Sequence, residues 1–218
     1  MKNAPQYYNV GPLLYCPANR ETIVSSITRQ KLGEKFSLAL CLEDTINDSC
    51  VEKAEQCLVS SIRQINQAAS CSSFYLPKIF IRVRYPEQIL KLLDLFSDSV
   101  RIISGFIIPK FCMENADSYI QTMIKANECS QKPLYMMPIF ESASMTDLRN
   151  RYDLLYALKD KLGKIEQLVL NIRVGGNDFC HLFGFRRHAD ESIHKIRPIS
   201  NIFSDIITVY GMDYVISG

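Results

Sequence analysis

Several common signatures are missing from this chain of 218 residues, and each absence closes off a class of function. Neither sign of charge is in excess: 25 Lys and Arg against 23 Asp and Glu leave a formal +2. Nothing in that balance calls for nucleic acid or an anionic membrane as partner. No stretch approaches the roughly 20 apolar residues of a membrane span. The opening residues, Met1 to Gln6, hold no apolar h-region of the kind a secretory signal needs. Linkers, internal repeats and low-complexity segments are absent too. No glycine-rich phosphate turn follows the first apolar run, where Pro17-Ala18-Asn19 stands instead, and this counts against a nucleotide-binding open sheet. Cys180-His181 with His188 and His194 does not fall into a zinc-finger or ribbon spacing.

What remains is an ordinary globular composition, 47% hydrophobic and 22% charged, at a length that suits one domain over residues 1–218 with a large core. The eight cysteines lie in apolar runs (Cys16, Cys41) or helix-like stretches (Cys57, Cys129). They read as reduced, buried thiols of a cytoplasmic protein, not as a disulfide framework.

The chain alternates strand and helix patterns seven times. Gly11 to Pro17 reads as a first strand, followed by a helix capped by Asn19 and carrying Ile23, Val24 and Ile27. Ser37 to Leu42 is a second strand, and Asn47 or Asp48 caps a helix with Val51, Ala54, Leu58, Ile62 and Ile65 at helical spacing. A loop from Ser70 to Pro77 precedes a third strand, Lys78 to Val83. Pro86 sits at the next helix start. Gly105 to Lys110 is a fourth strand, and a helix from Glu114 to about Glu128 follows it. The apolar run beginning at Tyr135 ends in Glu141-Ser142-Ala143. A long helix spans about Met145 to Leu162, and the strand Leu168 to Val174 ends in Gly175-Gly176-Asn177-Asp178. A loop rich in Phe, Arg and His comes next, then a helix from about Asp190 to Tyr210 and a seventh strand from Met212 to Ser217.

Continuous apolar strands, with no alternation, predict a parallel sheet covered on both faces. With no phosphate turn, the pattern favours an α/β fold of the (β/α)8 barrel type, short of its last strand–helix unit. In such a fold the residues just past each strand share one rim. Those residues are Asn19 and Arg20, Glu43 and Asp44, Arg82, Lys110, Glu141 and Asp178. Two carboxylates there, without thiolate or imidazole at matching positions, suit a hard divalent cation such as magnesium. Cations of the same rim would meet an anionic substrate. Lys110 can also be read as a Schiff-base lysine or an ion-pair partner, and Arg186-Arg187-His188 as a phosphate contact or a solvated surface.

These residues resemble a known family. Leu13 to Arg20 looks like "LLFVPGNR", Leu42 to Ile46 like "DLEDAV", and Ile81-Arg82-Val83 like "VRVN". Ile108-Pro109-Lys110 looks like "LPK", Ile139 to Ala143 like "xIETA", and Gly175 to Asp178 like "GTEDL". In order and at strand ends, these motifs are similar to those of the HpcH/HpaI aldolase and citrate lyase beta-subunit superfamily, metal-dependent C–C lyases on a (β/α)8 barrel. Asp44 brings the resemblance nearer the citrate lyase branch, and it extends to the lyases of tellurium-resistance gene clusters.

The resemblance implies that Glu141 and Asp178 hold Mg2+, with Mn2+ as a substitute. It implies that Asp44, Arg82 and Arg20 lie at the reacting end, and that Arg82, Arg20, Lys110 and Gly176 face the substrate. The implied reaction cleaves a C–C bond of an oxo or hydroxy acid, or its CoA thioester, through a metal-stabilised enolate. Asp44 or a metal-bound water would take the hydroxyl proton. A homo-oligomer is implied as well. Three positions depart from the motifs: Ala18 for Gly, Cys41 for Asp and Arg84 for Asn. With the missing last unit, they support an alternative, a barrel without chemistry acting as an accessory or scaffold subunit. A third reading is a Mg2+-dependent barrel acting on phosphorylated enolates.

Overall fold

The computed structural model describes residues 4–217. Twenty-odd residues at a time, strand and helix alternate as the sequence predicts. The order is α1 (Pro5–Tyr8), β1 (Leu13–Pro17), α2 (Ile23–Thr28), β2 (Ser37–Cys41), α3 (Val51–Cys71), β3 (Lys78–Arg82) and α4 (Glu87–Phe96). It continues with β4 (Ile103–Ile108), α5 (Met113–Glu128), β5 (Tyr135–Phe140), α6 (Arg151–Gly163), β6 (Ile172–Val174), α7 (Gly176–Leu182), α8 (Arg197–Tyr210) and β7 (Ile216–Ser217).

Contacts divide the chain into two compact units. One holds Tyr8–Ile107 and Thr122–Tyr135; the other holds Tyr7 and the described residues before it, Ile108–Gln121 and Met136 onward. In the first unit β1, β2, β3 and β4 pair in chain order, all parallel, with Leu40 opposite Cys16 and Ile81, and Cys41 opposite Arg82. In the second, β5, β6 and β7 pair in chain order, also parallel. Parallel neighbours in chain order are what βα units wound one after another produce. The described residues supply seven strands.

Both units bury continuous apolar strands. All five residues of β2 are buried, as are Ile79 to Ile81 of β3, and α3 lays Leu58, Ile62 and Ile65 against that layer. In the second unit Phe140 meets the ring of Tyr210 edge-on at 5.1 Å, and Leu155, Leu158, Ile199, Ile202 and Ile206 close the core. Glycine at 105 is a packing requirement: a Cβ there would lie 2.0 Å from the carbonyl oxygen of Tyr135, at φ +155°.

The structure departs from the sequence expectations at several places; the helix expected from about Asp190 begins only at Arg197, and the fourth strand runs from Ile103 to Ile108. Asn19 caps no helix, because the Arg20 N–H donates to the Pro17 carbonyl and closes a turn; α2 starts after Thr22. The helix expected from Met145 begins only at Arg151. Asp147 accepts from the Arg149 N–H at 3.0 Å and from the Asn150 side chain at 3.1 Å, an Asx turn that competes with helix. Those bonds hold the Asp147 carboxyl below its ordinary range, the backbone N–H of Arg149 first among them. The sixth strand shortens to Ile172–Val174, since Glu166 to Leu168 form a 3-10 turn. Asp178 lies in the first turn of α7, not in a loop. The last strand shrinks to two residues because the N–H groups of Asp213 and Tyr214 turn back to the Tyr210 carbonyl.

All eight cysteines are free, but Cys50, Cys71 and Cys129 are exposed, so only some thiols are the buried kind expected. Among the described residues no helix is long and apolar enough to cross a membrane.

The buried tyrosines of the second unit set an alkaline limit. The Tyr210 hydroxyl donates to the Leu155 carbonyl at 2.6 Å, and burial pushes its pKa far above the tyrosine range; burial raises Tyr214 as well. Above pH ~10 the unfolded chain releases these protons while the folded chain keeps them. Stability therefore falls with rising pH by about 1.4 kcal/mol per pH unit for each tyrosine. Urea denaturation between pH 8 and 11 should show this slope, and Tyr210→Phe should remove one tyrosine's share of it.

Candidate functional site

The second unit presents two acids after neighbouring strands. β5 and β6 run parallel with Ile139 opposite Arg173 and Phe140 opposite Val174, so their C-terminal ends share one rim. Glu141 is the first residue past β5 and is only 3% exposed. Its carboxylate is fixed from two sides. Oε1 accepts the backbone N–H of Lys110 at 3.0 Å. Oε2 lies 2.1 Å from the point where a Cβ on Gly175 would stand, so the missing side chain at 175 is the space the carboxylate occupies. The Gly175 N–H in turn donates to the Phe140 carbonyl at 3.1 Å, locking the two strand ends together. Asp178 follows three residues later, half-buried, in the first turn of α7.

The sequence reading placed Lys110 and Gly176 against the substrate; within the chain itself each has a structural task. Lys110 sits in the left-handed region at φ 48°, which aims its N–H at Glu141, and its side chain is exposed to solvent. That is not the desolvated setting a Schiff-base lysine needs. Gly176 is buried, and a Cβ there would meet Ile193 at 2.6 Å and the Phe203 ring at 3.1 Å.

Sequence reasoning missed what braces this rim. Ala143 to Thr146 form a 3-10 turn just beyond Glu141. Buried Arg151 donates from Nε to the Met145 carbonyl at 2.6 Å and pairs with Asp205 at 2.7 Å, while the Tyr152 hydroxyl donates to the same carboxylate at 2.8 Å. Arg187 bonds Asn177, the neighbour of Asp178, at 2.9 Å and the Glu191 carbonyl at 3.0 Å, so it is not simply solvated.

The first unit gathers an ion-pair cluster at the ends of β2 and β3. Arg82, 8% exposed, places Nη2 2.5 Å from Glu43 Oε2 and 2.7 Å from Asp44 Oδ2. The Glu43 side chain is largely buried, and that of Asp44 is half exposed. Arg20 is exposed and donates from Nε to Thr22 Oγ1 at 3.1 Å; it also stands beside buried Cys16, whose thiol pKa is raised by burial and eased down by Arg20. Asp44, Arg82 and Glu43 are thus brought together, whereas Arg20 lies at the surface of the β1 turn.

The donor chemistry of the second unit fits Mg2+. Magnesium takes one or two protein carboxylates and keeps several waters, so it does not need an all-protein cage. Among the described residues no three His, Cys, Asp or Glu side chains gather as a metal site. His181, His188 and His194 are exposed, and His194 packs edge-on against Phe203.

Comparison with known proteins fits this architecture. The citrate lyase beta subunit from Mycobacterium tuberculosis, solved with oxaloacetate and magnesium, is 13% identical with a TM-score of 0.58. The match covers 98% of this chain and 79% of that one. RipC from Yersinia pestis is 16% identical, TM-score 0.58, over 97% of this chain and 75% of its own. The protein CitE from M. tuberculosis in complex with magnesium, acetoacetate and coenzyme A is 15% identical, TM-score 0.58, over 95% and 64%. At such identities these likenesses speak to the fold alone. No curated protein matches this chain in sequence. The profile of one family, described as C–C bond lyase of the TIM-barrel fold, matches residues 4–218, and the chain belongs to that family.

Proposed function

We propose that this chain is a magnesium-dependent carbon–carbon lyase acting on an oxo or hydroxy acid or its CoA thioester. The observation that carries the reading is the seating of Glu141: a buried carboxylate held by the Lys110 N–H and by the gap at Gly175, with Asp178 on the next strand's exit.

In this reading Glu141 and Asp178 hold Mg2+, which supplies Lewis-acid stabilisation of charge developing on the substrate's oxygens. The chain's own residues do the rest. Arg82 offers a guanidinium fork suited to a carboxylate. Asp44, with its side chain half open to water, takes the proton from the hydroxyl at the bond being broken. Once protonated, Asp44 loses its charge and loosens its hold on Arg82 Nη2, which turns to the substrate carboxylate, while Glu43 keeps the guanidinium in place.

The test is cleavage of a panel of 3-hydroxy acids and their CoA thioesters, read as release of an oxo acid, with Mg2+ and with EDTA. Mg2+-dependent release of an oxo acid supports the lyase. Tight Mg2+ binding without cleavage of any member favours the accessory-subunit alternative, and EDTA-insensitive cleavage overturns the metal assignment.

A further inference from the structure

Arg84 stands where the family motif carries Asn, and the lyase reading above gives it no role. Its guanidinium reaches back from the end of β3 into the loop that follows β2. Nη1 donates to three carbonyls of that loop, Leu42 at 3.1 Å, Glu43 at 3.3 Å and Ile46 at 3.1 Å, and Nη2 pairs with Asp48. The loop carries Glu43 and Asp44, the two acids on Arg82. Within that span the Leu42 N–H also donates to the Arg82 carbonyl, the Ile46 N–H to the Glu43 carbonyl and the Asp44 N–H to Glu43 Oε2 at 3.0 Å.

Arg84 is itself anchored from below. Its backbone N–H donates to Gln88 Oε1 at 2.8 Å; the buried Gln88 amide donates to Glu55 at 2.6 Å, and Lys91 closes on the same carboxylate at 2.5 Å. Glu55 is 3% exposed and Gln88 fully buried, so this is a satisfied polar network tying α3 and α4 to the end of β3.

We infer that Arg84 is a positioning residue that fixes the Leu42–Ile46 loop and thereby sets Glu43 and Asp44 on Arg82. The inference rests on the lyase reading for its catalytic consequence, but not for its structural one. Arginine is required: a lysine ammonium is a point donor on a flexible stem and cannot span three carbonyls and a carboxylate at once.

Hydrogen exchange and steady-state kinetics on the full chain test this with Arg84→Ala, Arg84→Lys and Asp48→Asn. In Arg84→Ala the amides of residues 42–46 should exchange at least tenfold faster while those of β2 and β3 keep their rates. kcat should fall about tenfold or more, with the Mg2+ requirement unchanged, because the metal ligands lie elsewhere in the chain. Low-millimolar guanidinium should restore both protection and turnover to Arg84→Ala. Arg84→Lys should show the same local loosening in milder form, and it keeps the test alive should the alanine variant not fold. Asp48→Asn, which spares the carbonyl bonds, should loosen the loop least. Wild-type exchange at 42–46 in both Arg84 variants overturns the inference, as does faster exchange spread evenly through the unit. If the wild-type chain cleaves nothing, the lyase reading fails, while exchange and its rescue by guanidinium still decide Arg84's role.

Discussion

Replacing Glu141 with Gln is expected to abolish magnesium-dependent turnover, by about a thousandfold or more, while leaving the fold intact. The volume is unchanged, and one amide oxygen can still accept the Lys110 N–H. The other end of the side chain, lying against Gly175, then carries an NH2 group that can only donate. A cation needs a lone pair there and finds N–H bonds. Lewis-acid stabilisation contributes several kcal/mol, and each 1.36 kcal/mol is tenfold in rate. Stability in the absence of metal should change little, since the side chain keeps its shape and its bond from the Lys110 N–H. The difference should appear when Mg2+ is added. A ligand at a hundred times its Kd stabilises the folded state by about 2.7 kcal/mol, so wild-type protein should melt higher with Mg2+ and the variant should not. Equal Mg2+ stabilisation of the two proteins would remove Glu141 from the metal site. Asp178→Asn should share the phenotype, because the lyase reading makes its carboxylate the second hard donor of the site.

Much of this arrangement could be read from the sequence because buried parallel strands are continuous apolar runs whose ends are marked by the first charged residue. Tyr135 to Phe140 followed by Glu141 shows this, as does Ser37 to Cys41 before Glu43 and Asp44. The elements that escaped were those decided by local side-chain competition. Asp147 diverts the chain from helix by accepting the Arg149 N–H, a bond that hydrophobic periodicity does not register. Side-chain roles across the sequence were less visible still. Arg84 looked like a departure from a motif, yet it holds the Glu43–Asp44 loop, and Gly175 was read only as part of a motif, yet its lack of a Cβ makes room for Glu141. Both depend on contacts more than thirty residues apart in the chain, and spacing within a single sequence carries no trace of them.

Arg82→Met is expected to be the most destabilising single change in this ion-pair cluster, costing about 3–5 kcal/mol, because it removes the guanidinium beside a largely buried acid. Glu43 is largely buried beside the guanidinium, whereas Asp44 is half exposed and can return to water. Most of the penalty therefore belongs to Glu43. That assignment is separable by a double-mutant cycle in urea. Glu43→Gln added to Arg82→Met should recover much of the lost stability, since it removes the buried charge while keeping the shape. Asp44→Asn added to the same background should recover little. Against a total of about 5–15 kcal/mol for a domain, the single variant sits near the threshold of folding, and the pair with Glu43→Gln should bring it back. Turnover gives the complementary readout. Neither double variant should regain activity, because refolding the cluster does not replace the guanidinium that the lyase reading assigns to the substrate carboxylate. Recovery of stability with Asp44→Asn instead of Glu43→Gln would mean that the solvent-facing acid, not the buried one, is the partner that Arg82 neutralises. Asp44 would then be too firmly engaged to act as the proton acceptor.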